Sequence, residues 1–193
     1  MGTAPHTSHS SIYARFGKPL LDRTLGLVLA LLTLPVVLAL VLISWVAFGW
    51  PALQRLQRVG RNRKQFNLYR VNTSRTHQID LRGRRLRLSR WLRSTSLDEL
   101  PQLWNVVLGH MSLVGPRPIE PARAQALDPE TARRHRVRPG VTGPWQVEAR
   151  GDGRDLADHL SVDLRYVERL SLGTDLSILA RTIPSLLLDR EEM

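Results

Sequence analysis

From Thr24 to Trp50 the chain reads TLGLVLALLTLPVVLALVLISWVAFGW, an apolar run without a charged residue. A run of this length can cross a hydrocarbon core, and the buried helix of a soluble protein rarely goes so far without a polar face. It is too long for the core of a signal peptide, and no A-x-A-like cleavage site closes it. Pro35 lies close to its middle, where it removes a backbone hydrogen bond and predicts a kink. Basic residues flank both ends: Arg15, Lys18 and Arg23 before it, Arg55, Arg58, Arg61, Arg63 and Lys64 after it. Positive charge on both flanks gives no orientation for a span, but suits a re-entrant segment that enters one leaflet, bends at Pro35 and returns. A proline-kinked span is the alternative, since transmembrane helices tolerate proline.

Beyond the apolar run the pattern shortens. Leu53 to Val59 and Gln65 to Val71 flank GRNRK, a glycine-containing turn, and predict a short basic hairpin. Asn72 to Asp80 is polar and predicts a loop. Leu81 to Arg93 mixes leucine, tryptophan and arginine in a way that suits either an interfacial segment or a solvated basic face. Leu100, Leu103, Trp104, Val107 and Leu108 form an apolar helical stripe, with Gly109 in the position of a helix-ending glycine, so a helix is expected from about Leu97 to Leu108. Ser96 to Glu99 has the S-x-x-E form of a capping box at its start, and Pro101 falls in or just beyond the first turn. Asp128-Pro129-Glu130 predicts another helix start. Leu156, Leu160, Leu164, Val167 and Leu170 predict a further helix, and Thr174 to Asp189 an amphipathic segment broken near Pro184.

Charge narrows the partners. The 193 residues carry 28 Lys and Arg against 17 Asp and Glu, a net charge of +11 dominated by arginine, which favours phosphate, nucleic acid or an acidic membrane surface. Absence of cysteine excludes disulfides, cysteine-held iron-sulfur clusters and thiolate zinc sites. Only His6 and His9, in a polar tail, are closely spaced, so a histidine metal site is not expected. Against this basic background Asp98 and Glu99 stand side by side at a helix start, where acids serve either as a cap or as a catalytic pair.

Three stretches bear on that choice: SLDELPQLWNVVLGHMSLVGPRP, RHRVRPGVTG and DLRYVERLSL, in this order and closely spaced. Together they resemble the bacterial sugar transferase family, the monotopic phosphoglycosyl transferases, over about Leu20 to Leu187. The resemblance implies transfer of a phosphosugar from a UDP-sugar donor to polyprenol phosphate, with release of UMP and a requirement for Mg²⁺, Mn²⁺ being a substitute. It implies Asp98 as nucleophile by way of a covalent aspartyl intermediate, Glu99 as its partner, and both acids as metal ligands. Arg93, Arg117 and Arg138 fall on the family's arginines, Asp163 on the acid of its D-x-x-Y-V motif, and Arg70 on the basic residue that ends the hairpin. A carboxylate attacks phosphorus only when ionised and when diphosphate charge is relieved, which suits arginine clamps and a hard cation.

The expected architecture is mainly α with a small β-hairpin: a polar tail over 1–19, a re-entrant membrane helix over 20–50 broken at Pro35, and a cytosolic catalytic domain over 51–193. Its place is the cytosolic leaflet of the bacterial inner membrane, with no nucleic acid partner; a homo-oligomer is compatible with this reading. The chain departs from the family pattern in several places. Leu34-Pro35 lacks the usual serine, with Thr33 as a substitute; Val71-Asn72-Thr73-Ser74 replaces a usual aromatic-Arg-Thr-Met; and Trp145 is shifted by one place in GPWQV. Two rivals remain: a non-catalytic, membrane-anchored basic module that binds anionic lipid or nucleic acid, and an inactive family member.

Overall fold

A computed structural model describes residues 12–73, 83–148 and 156–188. The chain opens with a π-helical turn, Tyr13–Gly17, that runs into helix α1, Lys18–Phe48. Next come the hairpin strands β1 (Leu53–Val59) and β2 (Gln65–Val71) and helix α2 (Gly83–Ser94). A 3₁₀ turn, Leu97–Glu99, leads into α3 (Gln102–Val107) and strand β3 (Ser112–Val114). After α4 (Pro121–Gln125) and a 3₁₀ stretch over Thr131–Arg136 come strand β4 (Gly140–Thr142) and α5 (Pro144–Glu148). Helices α6 (Leu156–Glu168) and α7 (Leu172–Leu188) close the described chain. The mainly helical class and the hairpin agree with the sequence, and the hairpin has the expected bounds. The N-terminal tail up to residue 11 and the polar stretch 74–80 lie outside the described residues.

Helix α1 is long and apolar enough to cross a membrane. It nevertheless buries one stripe, Lys18, Asp22, Gly26, Ala30, Val37, Leu40, Ser44 and Phe48, against the rest of the chain. At its start Lys18 Nζ pairs with Asp175 Oδ2 at 2.6 Å, and Asp22 accepts from the Ser112 hydroxyl at 2.6 Å and the Leu113 amide at 3.1 Å. Gly26 lies so close to α3 that a Cβ there would stand 2.9 Å from a Val106 methyl. Near its end Leu40 and Phe48 pack with Val71 and Leu92, and the Ser44 hydroxyl donates to the Asn72 carbonyl at 2.6 Å. Asp22 and Ser44 are about 33 Å apart along a straight helix, yet both are fastened to the same domain. The other faces expose Leu32 (73%) and Val46 (75%) among many large apolar side chains, more than a water-facing surface normally carries.

The break expected at Pro35 is absent as an interruption: α1 runs unbroken through it. The Thr33 hydroxyl donates to the Leu29 carbonyl at 2.7 Å, the back-bonding that bends helices without ending them. Likewise α7 continues across Pro184, where a break was expected.

The capping box is also overturned. Ser96 adopts the left-handed conformation (φ 54°) and makes no side-chain cap, because the turn that follows is 3₁₀. Pro101 explains this: it has no N–H to return to the Leu97 carbonyl, so that carbonyl takes the Leu100 amide at 3.3 Å and the α-helix starts afresh after the proline. The helix ends as expected, with Gly109 at φ 78° and its amide on the Val106 carbonyl. Asp128 does cap, accepting from the Glu130 and Thr131 amides at 2.9 and 3.0 Å, but the element it starts is 3₁₀ rather than α.

Three packing features position the site. Asn105, fully buried on α3, accepts from the Tyr69 amide at 3.1 Å and donates to the Asn67 carbonyl at 2.7 Å, fixing the height of β2 on the domain. Strands β3 and β4 pair in parallel, Ser112 with Gly140 and Val114 with Thr142, a small sheet the apolar pattern did not reveal. On α6 the deepest residues are Val162, Asp163, Tyr166 and Leu170, while Leu164 and Val167 of the expected stripe are only half-buried. The Tyr166 hydroxyl donates to Asp175 Oδ1 at 2.6 Å, or to the Val114 carbonyl at 3.0 Å, tying α6 to α7 and β3.

Candidate active site

The acidic pair sits at the 3₁₀ turn between α2 and α3, facing the C-terminal end of β2. The Asp98 side chain is completely buried, and Arg70 Nε and an Arg70 terminal nitrogen both reach its Oδ2 at 2.6 Å. The same guanidinium stands 3.7 Å from a Glu99 oxygen. Asp98 Oδ1 is buried and has no hydrogen-bond partner, an unusual state for a carboxylate oxygen. Burial pushes the Asp98 carboxyl above the ordinary carboxylate range, opposed by the Arg70 contact and, further off, by Arg93. The register Gln54 with Arg70 in the hairpin, held by Asn105, carries the guanidinium to this spot.

Arg70, Glu99, Arg93, Ser96, Gln102, Arg58, Arg117 and Trp145 line a cleft of about 230 Å³, with Asp98 directly beneath Arg70 and Glu99. Arg93, at the end of α2, donates to the Thr73 hydroxyl at 3.1 Å. Four of the residues expected at the site, Arg70, Arg93, Glu99 and Arg117, thus share one cleft over a fifth, Asp98.

A larger cleft, about 520 Å³, adjoins it and shares Arg58, Arg117, Pro118 and Trp145. The parallel pair builds the shared wall. The Gly115 amide donates to the Thr142 carbonyl and the Gly140 amide to the Pro116 carbonyl, both at 3.0 Å, so Arg117 and Trp145 leave the strand ends side by side. The Arg117 guanidinium lies 4.2 Å from the Trp145 ring centroid. In the larger cleft Asp163 is not an exposed acid, and the charge of Arg117 acts on it. It is 2% exposed and pairs at 2.6 Å with Arg134, which is itself 3% exposed and also donates to the Arg117 carbonyl at 2.6 Å. Burial pushes the Asp163 carboxyl up to about 6, against the pull of Arg134 and Arg117.

Arg138 faces elsewhere. Its Nε donates to the Gly109 carbonyl at 2.8 Å, capping the end of α3, and it lines clefts with Arg61, Lys64 and His110 or with Lys18 and Asp22 instead of the dyad cleft. Arg58, Arg134 and Asn105 are the site residues that sequence reasoning missed. Arg134 lies in the run ARRHRVRP, which reads as solvated charge, and only its contact with Asp163, 29 positions away, marks it out.

A family model described as bacterial sugar transferase matches residues 13–189. The chain belongs to the bacterial sugar transferase family. It is 37% identical over 185 residues to the UDP-glucose:undecaprenyl-phosphate glucose-1-phosphate transferase of Caulobacter vibrioides, which covers 88% of this chain and 69% of that relative. It is 36% identical over 181 residues to the undecaprenyl-phosphate glucose phosphotransferase of Komagataeibacter xylinus, covering 84% of this chain and 34% of the relative. It is 32% identical over 188 residues to the undecaprenyl-phosphate galactose phosphotransferase of Salmonella typhimurium, covering 84% and 39%. The chain therefore spans well under half the length of the last two relatives. In this sugar transferase the region matched by the family model contains both clefts, the acidic pair and helix α1.

The acidic pair also suits a divalent cation. Among the described residues no three His, Cys, Asp or Glu side chains gather in one place. Two adjacent carboxylates, one with an unpartnered oxygen, match a hard cation that takes its remaining ligands from phosphate and water.

Proposed function

We propose that this sugar transferase moves a phosphosugar from a UDP-sugar to polyprenol phosphate, giving polyprenol diphosphate sugar and UMP. The observation that carries the reading is Asp98: a buried carboxylate with one oxygen clamped by Arg70 and the other unpartnered, under a cleft lined by arginines. An anion-binding module needs the arginines but has no use for that oxygen, which disfavours the non-catalytic alternative.

The donor's diphosphate competes with Asp98 for Arg70. As the guanidinium turns to the phosphates it uncovers the carboxylate beneath it and lowers the repulsion between the two anions. An Asp98 oxygen then attacks the sugar-bearing phosphorus. The new bond is an aspartyl phosphate, the bond broken is the phosphoanhydride, and UMP leaves with the electron pair. In the second step an oxygen of polyprenol phosphate attacks the same phosphorus, and the Asp98 carboxylate is regenerated. Neither step requires a proton from the protein, since leaving group and acceptor are both phosphate oxyanions. Dividing the transfer in two lets one site serve a soluble donor and a lipid acceptor in turn. Asp98 and Glu99 would hold Mg²⁺, which supplies charge neutralisation to the diphosphate; Arg70, Arg93 and Arg117 supply the rest from the protein.

Helix α1 belongs to this reading as a monotopic anchor in the cytosolic leaflet of the inner membrane. Its exposed apolar faces enter lipid while its buried stripe holds the catalytic domain at the surface, where the acceptor's phosphate lies. The experiment is incubation with a UDP-sugar alone. The phosphosugar mass should appear on the peptide containing Asp98 with about one UMP released per protein. UMP that appears only after polyprenol phosphate is added, with the peptide unmodified, would replace the covalent route by direct transfer.

A further inference from the structure

The larger cleft has a feature that the reaction at Asp98 does not use. Asp163 is 2% exposed and lines the cleft; Arg134 holds one carboxylate oxygen, and the other, Oδ1, has no hydrogen-bond partner. Arg134 is already committed to Asp163 Oδ2 and to the Arg117 carbonyl, both at 2.6 Å. At Asp163 the cleft therefore offers an unused acceptor beside a cation that is already committed. A ligand bearing an N–H or O–H would satisfy that buried oxygen, which a phosphate oxygen could not do.

Resting on the proposed reaction, in-line displacement fixes which part of the donor reaches this place. The attacking and leaving oxygens lie on opposite sides of the phosphorus, so with Asp98 on one side UMP departs on the other. Arg58 and Arg117 belong to both clefts and mark where the phosphates pass from one to the other. Volume agrees: the dyad cleft, at about 230 Å³, is below the range that holds a whole small molecule, roughly 300–1,000 Å³, while the larger one, at about 520 Å³, is within it. Its lining includes Ile119, Leu160 and the Trp145 ring, suited to the flat apolar faces of a base and ribose.

We propose that the larger cleft is the nucleoside site of the donor and that Asp163 Oδ1 accepts a hydrogen bond from the nucleoside. Uridine has two kinds of donor for it, the imide N–H of the base and the ribose hydroxyls. Asp163 is thus a binding residue that selects the leaving half of the substrate, independent of the sugar.

Calorimetry on the intact protein in detergent tests this with UMP, CMP and glucose 1-phosphate as probes. Asp163→Asn, nearly isosteric, should weaken UMP about tenfold or more, the usual cost of a lost hydrogen bond to a charged group. Leu160→Trp, which adds bulk to the half-buried lining and removes neither member of the ion pair, should weaken UMP as well and guards against misfolding of the first variant. Glucose 1-phosphate should bind both variants as it binds wild type. If CMP loses the same factor as UMP in Asp163→Asn, the contact is to ribose; if CMP binds weakly to wild type and variant alike, it is to the uracil imide. UMP binding unchanged in both variants, or a loss confined to glucose 1-phosphate, would overturn the assignment while the reaction stands. A wild-type protein that binds no UMP would remove both.

Discussion

Arg70 places two nitrogens at 2.6 Å from a single oxygen of Asp98 and leaves the other carboxylate oxygen unpartnered in the protein interior. One guanidinium thereby favours the charged form of a buried acid and leaves its second oxygen without a hydrogen bond. Arg70→Ala removes the contact that opposes burial, so the Asp98 carboxyl rises further. Turnover should fall about 10²- to 10³-fold, and the acid limb of the pH-rate profile should move to higher pH. Arg70→Lys keeps a charge but not the fork, and should recover part of the rate. An unmoved acid limb in Arg70→Ala would detach Arg70 from the ionisation of Asp98.

Two carboxylates, with no third such ligand gathered beside them among the described residues, hold a divalent cation weakly until the donor's phosphates join them. Activity should therefore disappear in EDTA and return with Mg²⁺ or Mn²⁺. Mg²⁺ alone should shift the melting temperature little, and Mg²⁺ with a UDP-sugar should shift it clearly. Full turnover in chelator would remove the cation from the mechanism.

Much of this arrangement was legible in the chain, and the remainder was hidden for identifiable reasons. The hairpin could be read because β1 and β2 are continuous seven-residue strands around a glycine turn. The capping box misled because Pro101, four residues after Leu97, forbids the bond an α-helix would need there. Strands β3 and β4 are three residues each, too short for a period, and their close approach needs a glycine at 140, where a Cβ would meet the Gly115 backbone. Asp163 lies outside the apolar stripe expected of α6, yet it is deeper than Leu164 because Arg134 compensates its charge. That partner, 29 positions upstream, is a contact which no local pattern encodes. Arg138, assigned by resemblance to the phosphates, stands beside the end of α3, where its Nε donates to the Gly109 carbonyl, a contact no local pattern announces.

The same pair gives a pH dependence with a definite sign. Burial raises the Asp163 carboxyl from 3.8 to about 6 in the folded protein, so between those values the folded state binds more protons than the unfolded one. Stability from this group is fully present below pH 3.8 and is lost as pH rises through 6. Asp163→Asn cannot titrate. The melting temperature of wild type minus that of Asp163→Asn should decrease from pH 5 to pH 7; a difference that grows would mean that Arg134 outweighs burial.

At Gly140 the backbone of β4 lies against the chain that leaves β3. A Cβ there would lie 2.1 Å from the Gly115 nitrogen and 2.2 Å from the Thr142 carbonyl oxygen, both backbone atoms that cannot step aside. Gly140→Ala should cost about 1–3 kcal/mol and spread the strand ends that carry Arg117 and Trp145. Lower thermal stability with loss of UMP affinity is expected, whereas Gly49→Ala, with nothing within 4 Å of its Cβ, should leave UMP affinity unchanged despite its strained φ of 84°.

The two ends of α1 should lie on the same side of the bilayer. Lys18 and Asp22 at one end and Ser44 at the other are bonded to one domain, so a crossing would have to break one set of contacts. Hydrogen bonds to charged groups contribute about 1.5–3 kcal/mol each, and the first set alone contains the Asp175 pair and both bonds to Asp22. Against them stands Pro35, whose replacement restores a helix hydrogen bond and favours a straight helix by about 3 kcal/mol. The anchors should prevail over that single change. The protein has no cysteine, so Arg15→Cys and Arg169→Cys, both at exposed positions, report each side cleanly. In intact cells a membrane-impermeant maleimide should label neither, and permeabilisation should label both. Pro35→Ala should leave this result unchanged; combined with Lys18→Ala and Asp22→Ala it should let a fraction of Arg15→Cys become labelled from outside. Labelling of Arg15→Cys in the otherwise wild-type protein would establish a crossing, and the docked geometry of α1 would then not be its arrangement in the membrane.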